Sequence, residues 1–338
     1  MTDTPHKKPT SFDVAKLAGV HRSQVSRALS GQGRMSDETR QKVIDAAREL
    51  GYRVNFLARS LQTSSSGLVG IVASRLDTPY RASQVRAAAR ELLANGYTPI
   101  LVTLEGGEDQ TGLVERLLNY SVSGMMITSG TPPSAIIEEC AQLNVPVVLI
   151  NRDANMRGAD GVLIDIAASG QMAFDMLREG GGTRFAVLEP RDRTYSVLGR
   201  AQAFSDACMA AGVSVDAIPT DSQDYESGLA AADLFVKNSG ADSVFCTTDL
   251  LALGFLDGLR LAHGVRVPDD VQVVGFDDIP QAGWKSYQLS TIRQCYEAAA
   301  VDAVELILKR ISDPARPHEI LEIGISPRHR ATTRKQTT

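Results

Sequence analysis

The sequence predicts two architectures in one chain of 338 residues: a small all-α head built on a helix-turn-helix, and an α/β body of two parallel-sheet lobes. Three observations carry this reading. A chain of this length exceeds a single hydrophobic core and divides into domains. The pattern changes near Ser66, from short amphipathic helices to apolar runs that alternate with helical stretches. Charge changes at the same place. Residues 1–66 hold 11 Lys+Arg against 6 Asp+Glu, a net of +5, whereas residues 67–338 hold 24 against 34, or −10. A basic head on an acidic body is the asymmetry expected when only the head meets a polyanion.

Residues 1–9 read as a disordered N-terminus and residues 10–53 as the helical head. Thr10-Ser11-Phe12-Asp13 is a T-x-x-D capping box that opens a first helix. Val14, Leu17 and Ala18 form its inner stripe and Gly19 ends it. After a short turn a second helix runs from Arg22 to Leu29. Its apolar positions Val25, Ala28 and Leu29 leave Arg22, Ser23 and Arg27 on other faces. A third helix is capped by Ser36, carries Asp37 and Glu38 in its first turn, and stops at Gly51. Val43, Ala46, Ala47 and Leu50 form its inner face. Two helices joined by so short a turn are the signature of a helix-turn-helix, whose second helix brings its N-terminal end to base edges in the major groove. Arg22 and Ser23 are the candidate base readers, arginine having the two-pronged fit to guanine. Thr10, Ser26, Arg27 and the N-terminus of the third helix are candidate phosphate contacts, and Gln24 is counted with the DNA-facing set.

These residues, in this order, resemble the head of the LacI (lactose-repressor) family: Asp13-Val14-Ala15-Lys16-Leu17-Ala18-Gly19-Val20, then Val25-Ser26-Arg27-Ala28-Leu29, Glu38-Thr39-Arg40 and Glu49-Leu50-Gly51-Tyr52. His21 departs from the pattern, standing where the family usually has a serine cap. Residues 54–66 form a hinge. A short helical segment capped by Asn55 is followed by the flexible Thr63-Ser64-Ser65-Ser66-Gly67 linker. So short a helix needs an outside partner. The resemblance implies one: paired hinge helices of a dimer in the minor groove, with Leu61 wedged into the central base step and Ala58 beside it. Packing of Leu57 and Leu61 on the body is the alternative. Val54 replaces a common proline.

In the body, residues 67–327, apolar runs at Leu68–Ala73, Pro99–Leu104, Gly124–Thr128 and Val145–Asn151 are followed by Arg184–Leu188, Ser243–Cys246 and Val271–Phe276. Strands alternating with helices of 12 to 15 residues make parallel sheets, and two series make two lobes. The first lobe is expected at about 67–164 and 292–319, the second at about 165–290 and 320–327, with crossings near 163–166, 289–293 and 319–326. Residues 328–338 read as a polar tail without apolar heptads, which favours a homodimer over a tetramer. Ligands in open α/β sheets bind beyond the carboxyl ends of strands. The body resembles the periplasmic-binding-protein-like core (type I) that the family carries. The resemblance implies that Asp277 is the ligand carboxylate and Arg200 the cleft arginine. Tyr80, Asn151 and Arg152 are further candidates, as are Thr248 and Asp249, where the family usually has Asn-Asp. Carboxylates, an arginine and a ring suit a polyol, and two arginines also admit a sugar acid or phosphate. Asp249 reads equally as a helix N-cap and Arg152 as an interlobe ion pair; Asp270 and Asp278 read as structural.

No uninterrupted apolar run approaches the roughly 18 residues of a membrane helix, and the N-terminus has no apolar stretch of a secretory signal. Cys140, Cys208, Cys246 and Cys295 are scattered, the histidines show no metal spacing, and Gly180-Gly181-Gly182 lacks the context of a phosphate loop. No catalytic constellation, cofactor or metal is expected. The expectation is a cytoplasmic, nucleoid-associated transcriptional regulator, a repressor. It binds a palindromic double-stranded DNA operator as a homodimer, under control of a carbohydrate-like effector. A regulator governed by a protein partner and a solute-binding receptor without gene control stay open.

Overall fold

The computed structural model describes residues 9–30, 35–53, 66–104, 110–128, 134–152, 158–191 and 194–334. The chain forms two compact units, Met1–Ser66 and Gly67–Thr338.

The head holds α1 (Ser11–Ala18), α2 (Arg22–Ser30) and α3 (Asp37–Glu49). At the start of α1 the Thr10 N–H and hydroxyl donate to Asp13 Oδ2 at 2.8 and 2.7 Å, and the Asp13 N–H donates back to Thr10 Oγ1 at 3.4 Å. Gly19 ends α1 with φ 64°, a left-handed cap that glycine adopts without steric cost. Val14, Val25 and Val43 meet at the centre, and Ala15, Ala28, Ala46 and Ala47 let the helices approach closely. Leu17 departs from the expected inner stripe. It is 46% exposed, because the inward face of α1 runs through Val14, Ala15 and Ala18.

In the body, one six-stranded sheet has the order β11-β5-β4-β3-β1-β2. Its strands are β1 (Leu68–Ala73), β2 (Thr98–Thr103), β3 (Gly124–Thr128), β4 (Val147–Ile150), β5 (Asp160–Ile164) and β11 (Ile320–Ile323), all parallel. The second has the order β12-β10-β9-β8-β6-β7. It comprises β6 (Phe185–Pro190), β7 (Val215–Thr220), β8 (Ser243–Cys246), β9 (Gln272–Asp277), β10 (Ser290–Gln294) and β12 (Ile325–Arg328), parallel apart from β12. The helices are α4 (Pro79–Ala94), α5 (Gln110–Asn119), α6 (Ser134–Gln142), α7 (Ile166–Glu179), α8 (Tyr195–Ala210), α9 (Tyr225–Asn238), α10 (Asp249–Asp257) and α11 (Tyr296–Ser312).

Two topological facts position the site. β1 lies between β2 and β3, and β6 between β7 and β8, so strand order reverses at each. The chain leaving these strands enters α4 and α8, whose first turns therefore open at the switch points where α/β sheets bind ligands. The helices of the second lobe are closely fitted. A Cβ on Gly228 of α9 would come within 2.0 Å of the Leu251 carbonyl oxygen, and one on Gly254 of α10 within 1.9 Å of the Tyr225 carbonyl oxygen.

The first lobe boundary falls where expected, whereas the second and third differ by a few residues. The chain crosses at Asp165, Cys295 and Gly324, so residues 292–294 belong to the second sheet and Ile320–Ile323 to the first. Ile320–Ile325 reads as one apolar run, but Gly324 breaks it and the two short strands go to different sheets. The start of the expected polar tail is also built into the second lobe. Thr332 is fully buried; its hydroxyl donates to the Val273 carbonyl at 2.7 Å and accepts from the Ser290 N–H at 2.8 Å. Arg330 pairs with Asp278, and the Arg334 N–H donates to Gln272 Oε1 at 2.9 Å. Polar side chains satisfied by backbone partners leave no hydropathy signal.

Candidate functional site

The DNA-facing candidates gather around the start of α2. The His21 N–H donates to Gln24 Oε1 at 3.1 Å, while His21 Nδ1 accepts from the Ser23 N–H at 3.3 Å and lies 2.9 Å from Ser23 Oγ. His21 therefore takes the place of the usual serine cap, and Gln24 completes the cap by reaching back, as the third residue of a capping box does. Gln24 is thus engaged within the helix start. The Thr10 hydroxyl is likewise engaged, in the α1 capping box. Arg22, Ser23, Ser26 and Arg27 are exposed. Arg22 Nε donates to Ser11 Oγ at 3.1 Å, whereas Arg27 folds back on Ser23, reaching its carbonyl and hydroxyl at 3.3 Å each. Asn55, Ala58 and Leu61 lie outside the described residues.

In the body, a cavity opens between the lobes at the carboxyl ends of the strands. Tyr80, Asn151, Arg200, Thr248 and Asp277 line it, five of the residues singled out from sequence. Arg200, on the second turn of α8, is 3% exposed. Its Nη1 donates to the Thr247 carbonyl at 3.0 Å and stands 3.6 Å from Asp277 Oδ1, and its guanidinium carbon lies 3.8 Å from the centre of the Phe276 ring. Burial lowers the pKa of this guanidinium, and Asp277 opposes the shift. Asp277 ends β9 with φ 120°, and Asn151 follows β4 with φ 53°, so a sterically costly backbone turns both side chains at the strand ends. Gln294 Nε2 donates to Asp277 Oδ1 at 2.6 Å, and Asn151 Nδ2 donates to Gln294 Oε1 at 3.1 Å. Burial pushes the Asp277 carboxyl up to about 6, against the pull of Arg200.

Three of these residues bury a polar atom outside any well-formed hydrogen bond: the Tyr80 hydroxyl, Asn151 Oδ1 and Arg200 Nε. Buried polar atoms left short of a partner are rare and costly; Tyr80 and Asn151 interact with each other through their side chains, and Arg200 Nε stands without a partner. Tyr80 also packs edge-on against Tyr296 at 6.2 Å between ring centres. Burial, then Asp277, holds its phenol above the ordinary range, so it is a neutral donor at any physiological pH.

Two sequence candidates stand apart. Asp249 is fully buried beneath the cavity, where the Ile279 N–H donates to Oδ2 at 2.8 Å and the Thr291 hydroxyl donates to Oδ1. It is neither a lining residue nor the N-cap; Thr248 is the cap, accepting from the Leu251 N–H at 3.3 Å. Successive residues at a strand end point in different directions, and sequence does not reveal which one faces the cleft. Arg152 follows Asn151 and does not line the cavity. Burial, then the neighbouring Asp277, pushes the Asp249 carboxyl up to about 8. Asp278 pairs with Arg328 and Arg330, and Asp270 with Arg266, both structural. Sequence reasoning missed Arg81, Gln223 and Gln294. The first two lie on a helix start and in a loop; the third ends a strand read only as a crossing. Among the described residues no cluster of His, Cys, Asp and Glu could hold a metal, and no helix is long and apolar enough to cross a membrane.

A head that presents a capped helix of recognition type, with a two-lobed body that gathers buried polar groups in a cleft, defines the class of effector-responsive DNA-binding regulators. Residues 12–55 match bacterial regulatory proteins of the lacI family, and residues 174–333 match a periplasmic binding protein-like domain. The ribose operon repressor of Bacillus subtilis is 30% identical over 331 residues, which cover 97% of this chain and 99% of that protein. The transcriptional regulator CelR of Thermobifida fusca is 32% identical over 317 residues, 90% of this chain and 93% of that one. A solved lac repressor dimer bound to operator and the anti-inducer ONPF has the same fold, with a TM-score of 0.85 at 23% identity over 97% of this chain and all (100%) of that one. A CelR–cellobiose complex matches with a TM-score of 0.72 at 28% identity, over 96% and 99%. The chain belongs to the LacI family.

Proposed function

We propose that this protein is a transcriptional repressor that binds a palindromic operator as a homodimer, and that a carbohydrate or carbohydrate derivative in the interlobe cleft sets its operator affinity. The observation that carries the effector half is the set of buried polar side chains of Tyr80, Asn151, Arg200 and Asp277 around one cavity at the strand ends. The head supports the DNA half, since Arg22 and Ser23 stand exposed at the N-terminal end of α2. Arg22 and Ser23 are assigned to bases; Ser26 and Arg27 are assigned to phosphates. In this reading the protein works in the cytoplasm, on DNA, and performs no catalysis of its own. Asn55, Ala58 and Leu61 keep the hinge role that the family resemblance implies.

The coupling is a population shift. An effector changes operator affinity only as far as it prefers one relative orientation of the lobes, typically about 1–3 kcal/mol. The test is selection of bound duplexes from a random pool by the purified protein in moderate salt. An enriched inverted repeat is expected, with retention altered by extracts that contain the effector. Enrichment of no sequence under either condition would refute the proposal.

A further inference from the structure

The cleft carries more positive charge than a neutral sugar needs. Arg81 and Arg200 line it against the single carboxylate of Asp277 among the described residues. Arg200 is committed to Asp277, at 3.6 Å, yet keeps a buried Nε without a partner. Arg81 has no ion pair among the described residues; its one side-chain hydrogen bond runs from Nη1 to Gln84 Oε1 at 3.3 Å. It is half-buried and shares the Asp277 carboxylate with Arg200, so two guanidinium groups face one carboxylate and one positive charge is left over.

The backbone repeats the pattern. Arg81 lies in the first turn of α4, at the positive end of the helix dipole, where a cation is least favoured and where no acidic residue compensates. Thr78, the N-cap, makes no side-chain cap, because its hydroxyl donates instead to the Arg75 carbonyl at 2.9 Å. The first turn of α8, from the opposite lobe, also has neither acidic residue nor side-chain cap, and Ser196 and Val197 bring it to the same cavity. A helix start forms an anion site only in company with side chains that point to a ligand. Here Arg200 Nε, on a residue 3% exposed, is unpartnered at the cavity.

We propose that the effector is a small anionic polyol, a sugar acid or sugar phosphate. Its anionic group is held between Arg81, Arg200 and the uncapped first turn of α4, while Asn151 and Asp277 read its hydroxyls. The inference rests on the cleft being the effector site and adds the charge of the ligand.

Calorimetry of the full-length protein tests it, with D-gluconate, D-galacturonate and D-ribose 5-phosphate, each beside its neutral parent sugar, and with inorganic phosphate alone. The expected result is an acid or phosphate that binds about tenfold or more tightly than its parent, with affinity that falls as salt rises. The carboxylate and phosphate arms distinguish the two sources of charge. R81Q is expected to weaken the anion by about tenfold, and R86Q, an exposed arginine further along α4, to leave it unchanged. A neutral sugar that binds as tightly as its acid or phosphate, or an anion indifferent to R81Q, would overturn the anionic proposal and leave the cleft reading intact. Binding of no compound of either charge, by protein that still melts cooperatively, would count against the cleft itself.

Discussion

Asn151 Nδ2 donates to Gln294 Oε1 at 3.1 Å and so ties the end of β4 in the first lobe to the end of β10 in the second. Gln294 passes the link on to Asp277, which faces Arg200, and a chain of polar contacts thus spans the cleft beneath the cavity. An effector that bonds to Asn151 Oδ1 and Asp277 acts on both ends of this chain, and its binding free energy is tied to how the lobes are set. Gln294→Leu removes the link and leaves Asn151 and Asp277 each short of a buried partner, at a cost of about 1–3 kcal/mol. The expected result in calorimetry is an effector bound about tenfold or more weakly. In an operator-binding titration, a smaller change on adding effector is expected. Effector affinity equal to that of the natural protein would show that the link is idle.

Asp277 and Asp249 make stability depend on pH. Burial raises both carboxyls above the ordinary aspartate value of 3.8, to about 6 and about 8, so the fold favours the protonated acid at each. That stabilisation is complete below the ordinary value and is lost as pH rises, through about 6 for Asp277 and then about 8 for Asp249. The melting temperature of the full chain is expected to fall between about pH 4 and about pH 8, most steeply below about 6 where both carboxyls contribute. Asp249→Asn is neutral, keeps an oxygen for the Ile279 N–H and offers a donor to Thr291. It is expected to flatten the upper part of that decline. A melting curve of Asp249→Asn that still falls as steeply between neutral and alkaline pH would place the titrating group elsewhere.

At the head, Arg22 and Arg27 stand on differently anchored parts of α2, Arg22 against Ser11 and Arg27 against Ser23. Arg22→Ala is expected to relax preference at one or two base pairs, with a loss of about 1–3 kcal/mol on the preferred operator. Arg27→Ala is expected to weaken all sequences together and to reduce the salt dependence by about one phosphate contact. Binding measured on operator variants across a salt series separates the two. Equal, uniform losses for both variants would reject this division. Gln24→Ala, which removes the reach back to the His21 N–H, is expected to lower head stability by about 1 kcal/mol.

How far this was legible in the sequence depended on the kind of signal. β1, β3 and β8 follow from uninterrupted apolar runs and were bounded to the residue. β7, at the edge of its sheet, carries Asp216 and Pro219, and so no apolar run marks it. Tyr80, Asn151 and Thr248 stand at strand ends and helix starts that follow apolar runs, whereas Arg200 and Asp277 were singled out through the family resemblance; all five line one cavity. Direction was not legible there, so Asp249 was grouped with neighbours that line the cavity although it is buried against the Ile279 N–H and the Thr291 hydroxyl. Gln294 is a neutral residue in a crossing, and only the fold brings it between Asn151 and Asp277. The role of His21 as a cap was legible in part, since an imidazole nitrogen can accept from a backbone N–H as a serine oxygen does.

The chain after β12 supplies the last test, because its structural role has no hydropathy signature. Thr332 is fully buried beside β9 and β10, and its backbone carbonyl accepts from the Val273 N–H at 2.9 Å. Its hydroxyl satisfies both the Val273 carbonyl and the Ser290 N–H, and Ser290 Oγ lies 2.8 Å from Thr333 Oγ1. Thr332→Val preserves the shape and strips two buried backbone groups of their partner, a change that costs about 1–3 kcal/mol for each group left unsatisfied. Thr332→Ser retains the hydroxyl and loses only a methyl group. A melting temperature lowered by several degrees in Thr332→Val and nearly restored in Thr332→Ser is expected if these hydrogen bonds fasten the segment. Equal losses in the two variants would assign the effect to packing of the methyl group, and no loss in either would mean that the segment adds little to the second lobe.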